Sequence, residues 1–204
     1  MKKSLDEMSL QELWQLFPII LVPHQAVWFE LYEREKDLWI HEFGDAIHRI
    51  HHIGSTSVPG LLAKPTIDVL LEIKQDTDLI SLKEVALQLG YLVSTHPDNP
   101  APHLLFKKGY TVRGFEGQAF HVHVRYPGDW DELYFRDYLR ESPALRTRYE
   151  EEKKRLFTRF EHDRNAYTEG KTALIREATM TAKNKWPGRY APKLPDAQSM
   201  RNAG

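Results

Sequence analysis

No cysteine occurs among the 204 residues. That absence excludes disulfides, thiolate metal sites and cysteine nucleophiles, and it fits a cytoplasmic protein. Nor is there a surplus of charge: 28 Lys and Arg stand against 29 Asp and Glu, with a pI near 6.8. So balanced a chain has no general attraction for polyanions, and neither DNA nor RNA is expected as a partner. No apolar run nears the roughly 18 residues that a membrane helix needs. The first apolar stretch, ending at Val22, follows acidic residues, is interrupted by Pro18 and lacks the small-residue cleavage site of a secretory signal. No membrane partner is expected. Internal repeats and low-complexity tracts are also missing. What is present is 41% hydrophobic residues, enough in a chain of this length for one domain with a substantial core.

Apolar spacing at Leu10, Leu13, Trp14 and Phe17 predicts a helix over 5–17, with Ser9 as N-cap. A longer helix is expected over 24–43, its inner stripe formed by Trp28, Leu31, Tyr32, Leu38 and Trp39. The period then changes. Strands are expected over 47–53 and 66–73, a helix over 78–89, and further strands over 91–95, 103–107 and 119–126. Residues 96–102 and 109–117 carry the Pro, Asn and Gly of loops. Beyond Pro127-Gly128 the chain is highly charged with helical spacings, and two or three helices are expected over 131–185, one starting at Ser142-Pro143. The organisation predicted is an extension over 1–17, an α+β core over 18–127, a helical subdomain over 128–186 and a disordered tail over 187–204.

The segment richest in chemistry is Ile50-His51-His52-Ile53-Gly54-Ser55-Thr56-Ser57, continuing through Lys64-Pro65-Thr66-Ile67-Asp68-Val69-Leu70-Leu71-Glu72. A strand ends in a Gly-Ser turn, and a second strand carries an aspartate. Glycine lets backbone approach a ligand closely, and amides at the start of the following turn point outward to phosphate oxygens. A carboxylate facing such a turn is what metal-assisted phosphoryl or nucleotidyl transfer requires. An aspartate among Ile67, Val69 and Leu70 is costly unless something satisfies it. The alternative is a capped tight turn fixed by a hydrogen-bonded Asp68. Further along, the alternation in His121-Val122-His123-Val124 puts both histidines on one strand face. They are either polar residues on a solvated face or members of a site.

Gly-Ser, a spacer of 12 residues and then Asp resemble the core signature of the DNA polymerase β-like nucleotidyltransferase superfamily. HIGSTSVPGL with AKPTIDVLLEI, HVHVRY, FRDYLRESPAL, DRNAYTEGK and IREA resemble, in order and spacing, the GrpB family over residues 18–183. The resemblance implies a nucleotidyltransferase-like mixed sheet flanked by helices, an α+β fold followed by a C-terminal helical subdomain. It also implies phosphate handling at Gly54 and Ser55, and a coenzyme A context, since some relatives are joined to dephospho-CoA kinase. One departure matters: the superfamily's second carboxylate falls at position 70, which is Leu here. Glu72 shares that face but lies about another 6.8 Å along the strand. His121 and His123 stand where a third acidic ligand is usual, so a site of Asp68, His121 and His123 would suit Mn²⁺ or Zn²⁺ better than Mg²⁺.

From the helical region the resemblance brings Arg136, Tyr167 and Lys171 as nucleotide contacts, and Lys64 stands near the turn as another. Arg136 with Asp137 serves equally as an anchor between the two units. His51 and His52 point to opposite faces and are read as structural, and Lys153-Lys154-Arg155 as surface charge. The function expected is metal- and nucleotide-dependent transfer from a nucleoside triphosphate to a small-molecule acceptor, with Asp68 catalytic. The alternatives are a silent nucleotide- or coenzyme-binding module of the same fold, for which Leu70 argues, and a metal-dependent phosphoesterase.

Overall fold

The computed structural model describes residues 3–192. The Ser9 hydroxyl accepts from the Glu12 amide at 3.2 Å while the Glu12 carboxylate accepts from the Ser9 amide at 2.8 Å. This reciprocal cap starts a new helix, so α1 spans only Leu10–Leu16 and a separate 3₁₀ turn, Leu5–Glu7, precedes it. The helix expected over 24–43 begins at Val27 and runs to Phe43 as α2. Leu38 points outward, 41% exposed, and Glu35 takes the inner place expected of it. That burial is satisfied: Glu35 accepts from the Tyr91 hydroxyl at 2.6 Å and pairs with Lys108 at 3.2 Å.

Five strands follow the period-2 pattern: β1 (Ile47–Ile53), β2 (Thr66–Ile73), β3 (Leu92–Thr95), β4 (Leu104–Thr111) and β5 (Gly114–Arg125), with α3 (Leu79–Gln88) after β2. The sheet order is β1-β2-β5-β4-β3; β2 and β5 pair in parallel and every other pair is antiparallel. The architecture is therefore the α+β mixed sheet with flanking helices that the sequence predicts. One difference concerns residues 109–117, expected as a loop. There β4 and β5 continue into a hairpin whose register jumps between Lys108 and Tyr110. Gly109, at φ 88°, makes this fit, because a Cβ there would sit 2.7 Å from the Gln118 carbonyl oxygen.

The two sheet faces carry different layers. Ile67, Val69, Leu71, Ile73, Val122 and Val124 pack against Trp28 and Trp39 of α2 and Leu82 and Ala86 of α3. The opposite face carries Asp68, Leu70 and Glu72 of β2 and the alternating His121, His123 and Arg125 of β5. Over it lie α4 (Asp131–Glu141), α5 (Pro143–Phe160), α6 (Arg164–Gly170) and α7 (Thr172–Lys185), four helices where two or three are expected. Ser142 caps α5 through the Leu145 amide, with Pro143 at the first helical position.

Val58 and Leu61, just past the Gly-Ser turn, are buried with Leu139, Leu145, Tyr149 and Leu174, which seats the helices directly on the turn. Ile19 joins Leu156 and Tyr167, and Val22 bridges to Ala63, so the extended segment after Pro18 ties the two layers together. The tail expected to be disordered from Pro187 is packed at its start. The Tyr190 ring lies 5.2 Å from Tyr134, and its carbonyl accepts from Arg49 at 3.0 Å. Residues 193–204 of that expectation lie outside the described residues. Among the described residues no helix is long and apolar enough to cross a membrane.

Candidate functional site

The parallel register of β2 and β5 sets Asp68 beside His121 and Leu70 beside His123. Since all of these face the helices, the two imidazoles converge on the carboxylate. His121 Nδ1 lies 3.4 Å and His123 Nε2 3.6 Å from Asp68 Oδ1. One donor atom from each of the three residues lies within 4.8 Å of the others, the size of a divalent-cation site. Burial opposes the charge on Asp68, but hydrogen bonds from His121 and His123 outweigh it and hold the carboxyl well below its usual range. Burial pushes His121 down despite Asp68, so its imidazole is neutral near pH 7. An ionised carboxylate with a neutral imidazole is the protonation state that metal ligation needs.

Tyr110, in the segment expected as a loop, completes this cluster. The jump in register at Gly109 stacks its ring on His121 and places its hydroxyl 2.7 Å from His121 Nε2. With Nε2 engaged by Tyr110, Nδ1 is the nitrogen turned to Asp68. No sequence signal marks this tyrosine once the segment is taken for a loop.

Gly54 and Ser55 form the rim above Asp68. Gly54 adopts φ 68°, and a Cβ on it would overlap Asp68 Oδ2 and stand 3.1 Å from Asp68 Cβ. Glycine is needed here twice, for the backbone conformation and for the close approach of turn and carboxylate. Thr56 and Ser57 are buried and structural: Thr56 donates to the Thr66 carbonyl at 3.1 Å and Ser57 to the Gly54 carbonyl at 2.6 Å. His52 is buried with them, 3.0 Å from the Thr56 hydroxyl and stacked on Tyr32. Burial pushes its imidazole down to about 4, in keeping with a structural role.

Asp68, Gly54 and Ser55 floor a cleft of about 930 Å³ whose opposite wall is helical. Lys64, Tyr167 and Lys171 line it as well, and both ammonium groups lie over the Tyr167 ring, at 5.6 and 4.6 Å. Lys153 corrects the reading of Lys153-Lys154-Arg155 as surface charge. It is 2% exposed, lines the cleft, lies 4.6 Å over the Tyr149 ring and donates to the Leu62 carbonyl. Its position was visible in the spacing: Leu145, Tyr149, Lys153 and Leu156 are the buried stripe of α5.

Arg136 is not brought to the cleft. It is buried between α4 and the end of β1, donating to the His52 carbonyl at 3.1 Å and to Asp137 Oδ1 at 2.8 Å, which makes it the anchor of the two layers. Glu72 is no substitute ligand either. Its fully buried carboxylate pairs with Arg49 and accepts from the Gly128 amide at 3.2 Å. Leu70 packs between Ile53 and Leu133, a burial worth about 2 kcal/mol. Where the superfamily pattern has a second carboxylate, this chain has packing.

The fold is an α+β mixed sheet with flanking helices, on which two histidines accompany a strand-borne aspartate beside a Gly-Ser turn. More narrowly, the chain belongs to the GrpB family, described as GrpB protein, whose model matches residues 18–181. It is 32% identical over 186 residues to UPF0157 protein YqkA of Bacillus subtilis, covering 88% of this chain but only about half, 52%, of that relative's length. Glutamate-rich protein GrpB of Alkalihalophilus pseudofirmus is 30% identical over 162 residues, 78% of this chain and 92% of that one. A dephospho-CoA kinase of Mycolicibacterium paratuberculosis is 26% identical over 183 residues, 79% of this chain and 45% of its own. Among solved structures, the conserved protein GrpB from Enterococcus faecalis superposes with a TM-score of 0.68 at 27% identity, over 82% of this chain and 99% of that one.

Proposed function

We propose that this protein is a metal- and nucleotide-dependent nucleotidyltransferase acting on a small molecule in the cleft between sheet and helices. The observation that carries the reading is the convergence of Asp68, His121 and His123 beneath the Gly-Ser turn, opposite a wall of lysines. The residues fit a divalent ion: one carboxylate oxygen and two imidazole nitrogens leave coordination positions open, a donor set that favours Mn²⁺ or Zn²⁺ over Mg²⁺. An ion held there would polarise a phosphoryl group and help to ionise an acceptor hydroxyl. Gly54 and Ser55 would receive phosphate oxygens, while Lys64 and Lys171 balance their charge. Binding of a nucleotide such as ATP or of dephospho-CoA must raise the thermal midpoint once its concentration exceeds the dissociation constant. A shift that needs both one nucleoside triphosphate and Mn²⁺ or Zn²⁺, followed by metal-dependent consumption of that nucleotide, is the expected result. Absence of a shift with every nucleotide and metal tried would overturn the reading.

A second reading rests on Leu70 and Glu72. With one position given to packing and the other to Arg49, a single carboxylate remains, which suits a silent nucleotide- or coenzyme-binding module. Its mark is a shift that persists in EDTA without turnover.

Tyr110 would act through His121 as a positioning residue. Removing such an outer partner typically costs 10–100-fold in metal affinity. Tyr110→Phe keeps the stacked ring and loses only the hydroxyl. The expected outcome by calorimetry is Mn²⁺ or Zn²⁺ affinity lower by roughly 10-fold or more with an unchanged circular dichroism spectrum. Unaltered affinity would remove Tyr110 from the site.

A further inference from the structure

Six cationic side chains line the cleft, among them Lys64, Lys153, Lys171 and Arg164. Among the described residues none of these four lies within 4.0 Å of a carboxylate, whereas Arg49 and Lys108 on the sheet are each paired with an acid. Their contacts are instead the faces of Tyr149, Tyr167 and Tyr110 and two main-chain carbonyls, those of Leu62 and Phe17. The Tyr167 hydroxyl, in a fully buried residue that also lines the cleft, has no partner among the described residues. Cationic groups gathered with no carboxylate in contact are costly, and an unpaired buried hydroxyl adds to the cost. Both costs disappear if an anion with several oxygens occupies the cleft.

We propose that Lys64, Lys153, Lys171 and Arg164 form a cradle for a linear polyphosphate chain, which binds without the metal. This deepens the reading of the same cleft, but its test needs neither metal nor turnover, so each can fail alone. A chain is favoured over a single phosphate because the cations are distributed over three tyrosine rings and four places, the approach to β2, α5, the start of α6 and the α6–α7 junction.

The protonation argument has a definite sign. Burial first, then the charges of Lys171 and Arg164, push Lys64 down to about 7 against an opposing pull from Asp68. Burial likewise pushes Lys153 down to about 7, with Lys171 and Lys154 adding to it and Glu150 opposing. Lys171 is pushed down to about 8 by burial, with Asp68 opposing. An incoming polyanion raises all three. Above about pH 7 binding must therefore take up protons, roughly two at pH 8 and well under one at pH 6, and affinity must fall as pH rises.

The experiment is isothermal titration of the full chain with inorganic tripolyphosphate in EDTA, at pH 6 and pH 8, in buffers of different ionisation enthalpy. Wild type is compared with Lys153→Met and with Lys64→Gln, whose site is less buried. The ligand's own protons cancel in that comparison. Binding in EDTA, about one proton fewer taken up at pH 8 by each variant, and roughly tenfold weaker binding per lost cation are expected. Tighter binding of ATP than of tripolyphosphate would identify a nucleotide as the source of the chain, and the reverse a free polyphosphate. No binding in EDTA, equal affinity for inorganic monophosphate, or proton uptake unchanged in both variants would overturn the cradle.

Discussion

Asp68→Asn is expected to abolish the proposed nucleotidyl transfer while leaving the protein folded. The substitution keeps the shape of the side chain, so the close packing of Gly54 against it survives. What it removes is the only carboxylate in the group formed with His121 and His123. An amide oxygen is a poor substitute for a carboxylate toward a divalent ion, and its NH₂ group would face one of the imidazole nitrogens that now converge at 3.4 and 3.6 Å. Loss of the charge should cost on the order of 10³-fold in metal affinity, about 4 kcal/mol, and at least as much in turnover. The checks are calorimetric titration with Mn²⁺ and Zn²⁺ and nucleotide consumption, with the circular dichroism spectrum as control. Wild-type turnover in a folded Asp68→Asn protein would sink the transferase mechanism, because among the described residues that sheet face offers no other unpaired carboxylate. Weakened metal binding in a protein with no turnover in either form would favour the silent binding module.

Much of the floor of this site was legible because strand alternation is a local property. Period 2 assigns Asp68 to the face opposite Ile67 and Val69, and His121 and His123 to one face together, whatever their neighbours. That β2 lies beside β5, with Asp68 opposite His121, is a matter of sheet order, which no local pattern contains. The wall was harder to read. Lys153 looked like surface charge because its neighbours Lys154 and Arg155 are charged and exposed, yet its own position continues the buried spacing of Leu145 and Tyr149. Tyr110 was hidden by glycines that suggest a loop and in fact permit a bulge within a hairpin. Arg136 shows the converse limit: the charge was legible, but a buried arginine serves equally well as ligand contact or anchor until its acceptor, here the His52 carbonyl, is known. Tyr190 lay in a segment whose prolines and polarity suggest disorder, and its packing rests on distant partners, the Arg49 guanidinium, the Asp137 carboxylate and the Tyr134 ring.

Removal of Glu72 should have the largest effect on stability. Its side chain is fully buried on the helical face of β2, directly across from Arg49 of β1. The Arg49 guanidinium donates to Glu72 Oε1 at 2.9 Å, to the Gly128 carbonyl at 2.8 Å and to the Tyr190 carbonyl at 3.0 Å, so one ion pair joins the sheet, the approach to α4 and the C-terminal segment. Breaking a buried pair from one side leaves a charge with no counter-ion, and the cost is typically 3–5 kcal/mol. Glu72→Ala also leaves the Gly128 amide without its acceptor. The expected fall in thermal midpoint is roughly 8–15 °C for a chain of this size. The double variant Arg49→Met, Glu72→Met should recover most of it, since an apolar pair of similar volume carries no desolvation penalty. The same variants decide what Glu72 does. If the carboxylate is structural, the folded Glu72→Ala protein binds Mn²⁺ or Zn²⁺ as wild type does, because Arg49 and not the histidine cluster is its partner. A large loss of metal affinity with little loss of stability would return Glu72 to the metal site and remove the reason for assigning its position on β2 to structure.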